Sequence, residues 1–330
     1  MVKPRFDILG IGNAIVDVVA PVADAFLATH AMHKGAMALI DDATAEKLYA
    51  AMPPAQEVSG GSAGNTCAVA AALGARVAYF GKVADDQLGR VFRHDITAAG
   101  VSFPTAPLAG AAPTARCLIM VTPDGQRTMN TYLGACVTFG ENDVDEAIVA
   151  DSAVTYLEGY LFDPPAAQAA FRRAAAAAHA ADRQVALSLS DAFCVERHRG
   201  AFRDLVAGHV DILFANESEI TALYQTDFAE AVELARADVA LAALTRSDAG
   251  SIIVRGPETH QVAAVQADLV DSTGAGDAYA AGFLAAYTAG LGLAKCGMLG
   301  SIAAAEVISH YGARPQRPLG EELKKLAAQG

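Results

Sequence analysis

The sequence predicts an α/β fold: a central, mainly parallel sheet flanked by helices, with a small β-sheet attached. Three observations predict it. Strand-length apolar runs alternate with helical segments from residue 153 onward. Two separated stretches, near 15–40 and 103–135, interrupt that alternation with β-like patterning. Finally, 330 residues with 53% hydrophobic and 18% charged content suffice for a large core in one domain, and exclude disorder.

In chain order, "FDILGI" is a buried strand, and alternation resumes from Val16. "AMALI" (36–40) is a further short strand. The segment 63–75 reads as a helix stopped at Gly74, and "RVAYFGKV" follows as a strand. Helical spacing returns through Leu88, Val91, Phe92 and Ile96. "ARCLIMVTPDGQRTMNTYL" is a hairpin, two β-runs about a Pro-Asp-Gly turn. Beyond "AVTYLEGYL" come the helix "FRRAAAAAHAADR" and the strands "QVALSLS", "DILFANE", "VALAALTRS" and "GSIIVRG". Such alternation favours parallel strands joined by helical crossovers. No repeat is evident, and the alanines at 174–178 read as helix filler.

Composition narrows the function. A net charge of −13 gives little basis for nucleic-acid binding, which relies on Lys and Arg neutralising phosphates. Five cysteines without C-x-x-C spacing suit reduced thiols better than disulfides or a zinc ribbon. Asp7, Asn13 and Asp17 interrupt the N-terminal apolar run, unlike a signal peptide. The uncharged window 278–294 is broken by Gly282, Gly290 and Gly292, as in a buried helix and its following loop rather than a membrane span. These features lead to a cytoplasmic protein without a membrane partner.

Several motifs carry chemistry. "GIGNAI" (10–15) follows a strand as a dinucleotide fingerprint would, but Ile15 fills the third small-residue position and would spoil helix–strand packing. A P-loop pattern is absent. "STGAGD" offers another phosphate site: backbone N–H groups of Gly274, Ala275 and Gly276 at a helix start, with Asp277 beside them to accept a hydroxyl proton. A plain helix cap accounts for the same residues. "SGGSAGNT" (59–66) is a second glycine-rich helix start, in which Asn65 suits a hydroxyl ligand; a simple N-cap reads equally well. "NESE" (216–219) follows a strand and places Asn216 and Glu219 on one helical face, where Glu219 suits the water shell of Mg2+ or a solvated first turn.

In this order the motifs resemble those of the PfkB (ribokinase-like) family of carbohydrate and nucleoside kinases. "GGSAGN" resembles its first signature, "NESE" its N-x-x-E magnesium motif and "DSTGAGD" its second signature. The resemblance runs from "GIGNAIVD" to "AAAEVISHYGARP". It implies ATP and Mg2+ as co-substrate and metal, with the two β-rich stretches forming a lid. It implies Asp277 as catalytic base and Gly274, Ala275 and Gly276 as anion hole. Asp17 matches the acid that holds sugar hydroxyls, while Asn13, Gly61, Ser62 and Asn65 match other acceptor contacts. On the ATP side it implies Asn216, Thr245 and Gly250, with Glu219 holding Mg2+ through water. Asp271 matches a position near a monovalent-cation site, so K+ dependence is a further implication. "TRSDAG" departs from the family's T-x-G-x-x-G by placing Ser247 at the first glycine, which implies retuned ATP binding. The lid implies a monomer or a homodimer.

"GNAIVD", "LSLSDAF", "DILFANESE" and "RTMNTYLGA" are similar to stretches of the family's adenosine kinases. Met37, Leu39, Leu133 and Ala135, with Tyr160 or Leu161, would then wall a planar base, or else only pack the lid on the body. The expected acceptor is a nucleoside, adenosine first, with a free sugar (ribose- or fructose-like) as the alternative. Cys194 and His198 in "FCVERH" resemble a thiol pair only in spacing.

Overall fold

A computed structural model describes residues 3–110 and 112–328. Strands in the first half are β1 (Phe6–Ile11), β2 (Ile15–Pro21), β3 (Met37–Leu39), β4 (Gln56–Gly60), β5 (Val77–Phe80), β6 (Val101–Ser102), β7 (Ala115–Val121) and β8 (Arg127–Tyr132). Those in the second are β9 (Ser152–Glu158), β10 (Gln184–Ser188), β11 (Ile212–Asn216), β12 (Leu241–Thr245), β13 (Ser251–Arg255) and β14 (Glu258–Val262).

Nine strands form the body sheet in the order β14-β13-β12-β11-β10-β9-β1-β5-β6. Every pair from β12 to β6 is parallel, and only the β12–β13 and β13–β14 pairs are antiparallel, so β13 alone runs against the rest. Both faces are covered, which explains why β1 and β12 read as continuous apolar runs. One core packs helices Ser62–Ala72, Ala275–Thr288 and Leu293–Ile308 on the sheet. The other packs helices Pro165–Ala180 and Ala192–His209 on the opposite face. Alanines 170, 174, 175 and 178 are fully buried in that second core. The alanine run is therefore a close-packing face and not filler: small side chains let the helix approach the sheet.

The remaining strands form a five-stranded sheet, β3-β8-β7-β2-β4. The Pro-Asp-Gly hairpin is its β7–β8 pair, antiparallel from Arg116↔Tyr132 to Val121↔Arg127, with Gly125 at φ 81 in the turn. β4 joins it from outside the two β-rich stretches. Its polar "QEVSG" sits at the sheet edge with its first residue exposed, so it carries no apolar run to announce it. Period-two alternation gives this sheet two faces. Val16, Val18, Leu118 and Met120 face the core, while Ile15, Asp17, Cys117 and Ile119 face a cavity. A one-residue slip of β2 would turn Asp17 into the core.

Candidate active site

The cavity has a volume of about 1290 Å3 and lies between the small sheet and the carboxyl ends of the parallel strands. Asn13 follows β1, Glu158 ends β9, Ser188 ends β10, Asn216 ends β11 and Thr245 ends β12. The chain leaves β1 towards β5 on one side, while β9 continues the sheet on the other. Ligands of open α/β sheets bind at such a reversal, where loops diverge and leave a crevice.

Helix Ala275–Thr288 starts at this cavity with Gly274 as N-cap, at φ 77. A Cβ on Gly274 would stand 2.5 Å from the Ala313 Cβ, so both φ and packing require glycine there. A Cβ on Gly276 would meet nothing within 4 Å and would project into the cavity that this residue lines. The bare backbone leaves that space to a ligand, at the positive end of the helix. The Ala275 N–H meanwhile closes a turn onto the Ser272 carbonyl at 3.2 Å.

Asp277, one residue on, is partly buried and is held from the other glycine-rich helix start. Its Oδ1 accepts from the Ser62 hydroxyl at 2.5 Å, and its Oδ2 from the Asn65 amide at 3.2 Å. Withdrawal from water pushes the carboxyl up to about 6, opposed by the two hydrogen bonds and by the Arg314 charge. At neutral pH it is ionised, and it can take a proton.

Asp17 projects from β2, packed on Gly60, where a Cβ would lie 2.5 Å from the carboxylate. Desolvation lifts it to about 6, against the charges of Arg127 and Arg314, and the Asp277 charge adds to the rise. Gly61 has φ 82 and lies so close to Asn13 that a Cβ would stand 2.0 Å from its carbonyl oxygen. Asn13 is oriented by Glu158, whose Oε1 accepts from the Asn13 N–H at 3.2 Å and from its side-chain amide at 2.9 Å. Oε2 of Glu158 accepts from the Ala63 N–H at 2.7 Å. Burial pushes this carboxyl to about 7. Sequence reasoning missed Glu158, although an acid ending the apolar strand "AVTYLE" was a usable signal. Arg314 was missed too: its role depends on residues 250 positions away, and no local pattern marks it.

The NESE turn forms a capping box. Asn216 Oδ1 accepts from the Glu219 N–H at 2.9 Å, while the Glu219 carboxylate accepts from the Asn216 N–H at 2.9 Å and its amide at 2.7 Å. Burial, with Asp191 and Asp277 facing it, pushes Glu219 up to about 7. Gly250 has φ 82, and a Cβ there would strike the Val262 carbonyl at 2.1 Å. Ser247 adopts φ 51, so the serine takes the left-handed conformation a glycine would favour. Thr245, Ser247 and Gly250 all line the cavity.

Ala135, Leu161 and Asp271 depart from expectation, while Cys194 and His198 form no thiol pair. Ala135 is fully buried in the turn Gly134–Thr138 and does not line the cavity; nor does Leu161, also fully buried. Leu133, Leu39, Met37 and Tyr160 do line it, the last three with 61%, 56% and 41% exposure respectively. Asp271 offers no free carboxylate to a cation. Its Oδ1 accepts from the Thr273 N–H and hydroxyl, and its Oδ2 from Gly312 N–H and, as an ion pair, from Arg127 of β8. The Cys194 thiol donates to the Gly159 carbonyl at 3.3 Å, while His198 bonds Asp163 instead. Desolvation raises that thiol to about 12, the reverse of an activated nucleophile.

A bare helix start faces a held carboxylate beneath a sheet that presents a second one, on a ribokinase-like fold of the kinase class. The chain belongs to the pfkB family of carbohydrate kinases, whose model matches residues 31–319. It is an ATP-dependent kinase acting on a hydroxyl group. An adenosine kinase from Sinorhizobium meliloti is 55% identical, with a TM-score of 0.89 over 97% of this chain and 99% of that one. A probable sugar kinase from Rhizobium etli is 51% identical, with a TM-score of 0.90 over 98% and 99%. The adenosine kinase of Dictyostelium discoideum is 28% identical over 93% of this chain and 95% of its own.

The residues present fit Mg2+ carried on phosphates and water. Among the described residues no group of three His, Cys, Asp or Glu gathers to hold a metal by itself. Glu219 nonetheless presents a buried carboxylate at the cavity, with Asp191 and Asp277 facing it, an acidic surround that a hydrated cation would relieve.

Proposed function

We propose that this kinase moves the γ-phosphoryl group of ATP to the primary hydroxyl of a nucleoside, adenosine first. One observation carries the reading: Asp277 stands at the helix start beside the open Gly276 backbone and is locked there by Ser62 and Asn65. The acceptor hydroxyl donates to Asp277, its oxygen bonds to the γ-phosphorus, the proton passes to the carboxylate, and ADP leaves. Backbone N–H groups of residues 274–276 receive the transferring oxygens, the Ala275 N–H exchanging its Ser272 carbonyl for them. Asn216, Thr245 and Gly250 border the nucleotide, with Glu219 orienting water of the metal shell. Bound Mg2+ supplies charge neutralisation across the phosphates.

At the other end, Asp17 grips the vicinal hydroxyls of the ribose, with Asn13 and Gly61 beside it. Above them Met37, Leu39, Ile119 and Leu133 offer apolar surface. A purine covers such a face, whereas a free hexose would leave it wet. The 55% identical protein named adenosine kinase supports the same acceptor. Incubation with ATP, Mg2+ and a panel of nucleosides and sugars, read as ADP release, tests this: turnover of sugars without nucleosides overturns it.

A further inference from the structure

Arg314 lies after the last core helix, Leu293–Ile308, and is not among the residues that line the cavity. Its Nη1 donates to the Gly64 carbonyl at 3.0 Å, and its Nη2 to the Ser59 carbonyl at 2.7 Å and hydroxyl at 3.0 Å. The Ser59 hydroxyl in turn donates to Asp95 at 2.5 Å. One guanidinium thus ties both ends of the 59–64 turn, which joins β4 to helix Ser62–Ala72. That loop carries Gly60, on which Asp17 packs, and Ser62, which holds Asp277. Its Nε is buried without a hydrogen-bond partner, so the side chain is held away from water although one donor goes unmet. Such an arrangement costs free energy unless the charge itself is compensated.

We propose that Arg314 is a positioning residue of the acceptor site: it fixes the 59–64 loop and supplies the fixed counter-charge of the Asp17–Asp277 pair. This inference rests on the reading of Asp277 as base. The groups whose charges act on Arg314 are Asp95 on helix Gln87–Ala98, Asp17 on β2, Cys67 on helix Ser62–Ala72, and Asp277. The Cys67 thiol, pushed up to about 12, stays neutral and leaves three carboxylates. Arg127 on β8 also acts on Asp17, while Glu158 on β9 feels Asp277. Arg314 opposes the rise of both Asp17 and Asp277, whereas the groups acting on Glu158 do not include it. Two like charges sharing a site titrate as a pair, and a fixed cation keeps both ionised to lower pH.

The test is the pH profile of kcat/KM with ATP, Mg2+ and the acceptor identified above, for the wild type, Arg314→Lys and Arg314→Gln. Without the charge, the acid limb of Arg314→Gln moves up by about half a pH unit or more. Arg314→Lys keeps the charge but loses the forked contact, so kcat/KM falls while the limb stays. Limbs that coincide in all three proteins overturn the inference. Arg314→Met, which removes the charge without introducing a new polar group, gives the same comparison should the glutamine variant not fold. Asp277→Asn in parallel separates the two readings: wild-type turnover in it sinks the base assignment, whereas a dead Asp277→Asn with unmoved Arg314 limbs sinks only the role of Arg314.

Discussion

The two ends of the cavity are built from different materials. At the end proposed for phosphate the main chain forms the surface: Gly274 fits where no side chain can, and Gly276 leaves open space. At the acceptor end side chains do it, and each is aimed by another, Asn13 by Glu158 and Asp277 by Ser62 and Asn65. The contrast follows from the ligands. Phosphoryl oxygens are alike and accept from any row of N–H groups, whereas hydroxyls must be held singly, as donors, by oriented carboxylates. A backbone site fails through shape, and a side-chain site fails through charge.

Substitutions can break that contrast. The largest effect belongs to Asp277→Asn, which keeps the size and loses the proposed base: kcat should fall about a thousandfold, with ATP binding by calorimetry near normal. Retained turnover would place the proton elsewhere. Asp17→Asn should raise the acceptor KM more than it lowers kcat, with kcat/KM falling about ten- to a hundredfold for one charged hydrogen-bonding group. An unchanged acceptor KM would remove Asp17 from the site.

Glu158→Gln sharpens the acceptor end. The amide must turn its NH2 towards one of the N–H donors, so kcat/KM should drop about tenfold, one hydrogen bond's worth. The same variant reports on stability. Glu158, Glu219, Asp17 and Asp277 all have native pKa values raised above their ordinary ones by burial. These four groups therefore bind more protons in the native state than in the unfolded chain between about pH 5 and 7, and their contribution to stability is lost as pH rises through that window; acids with lowered native values, such as Asp86 and Asp271, act below it. Urea unfolding of the free protein should show this decline, and Glu158→Gln should flatten its upper part; a rising curve would contradict the burial of these groups.

At the phosphate end the glycines should separate. Gly274→Ala meets Ala313 at a positive φ and should lose about 1–3 kcal/mol of stability. Gly276→Ala should unfold within about 0.5 kcal/mol of the wild type, while its ATP KM rises several-fold. Equal stability losses in the two would erase the distinction.

The same contrast governs what the sequence revealed. The backbone end was legible because "STGAGD" supplied both the bend and the acid and stood in order with "GGSAGN" and "NESE"; alone, its glycines read equally well as a helix cap. The parallel body was legible too, since strands buried on both faces read as apolar runs. β4 was not, being a polar edge strand that pairs with β2 through register alone. Leu133 and Ala135 lie two apart in one segment, yet the turn at Gly134–Thr138 sends one to the cavity and the other into the core. Period-two reasoning across a turn cannot separate them. Asp271 shows a further gap: the family resemblance placed it near a monovalent-cation site, and only the fold shows that β8 brings Arg127 to its carboxylate.

The distances along the chain have a kinetic consequence. The Ser62–Asp277 bond joins residues 215 positions apart, and the Arg314–Ser59 bond residues 255 apart. Neither can form in a partly assembled chain, however complete its helices, because closing such long loops comes after local structure. A nascent chain that has not yet released Arg314 has both glycine-rich turns but lacks the guanidinium that ties the first of them. Refolding from urea should accordingly restore far-ultraviolet dichroism before it restores turnover, which makes activity the late reporter of a finished molecule.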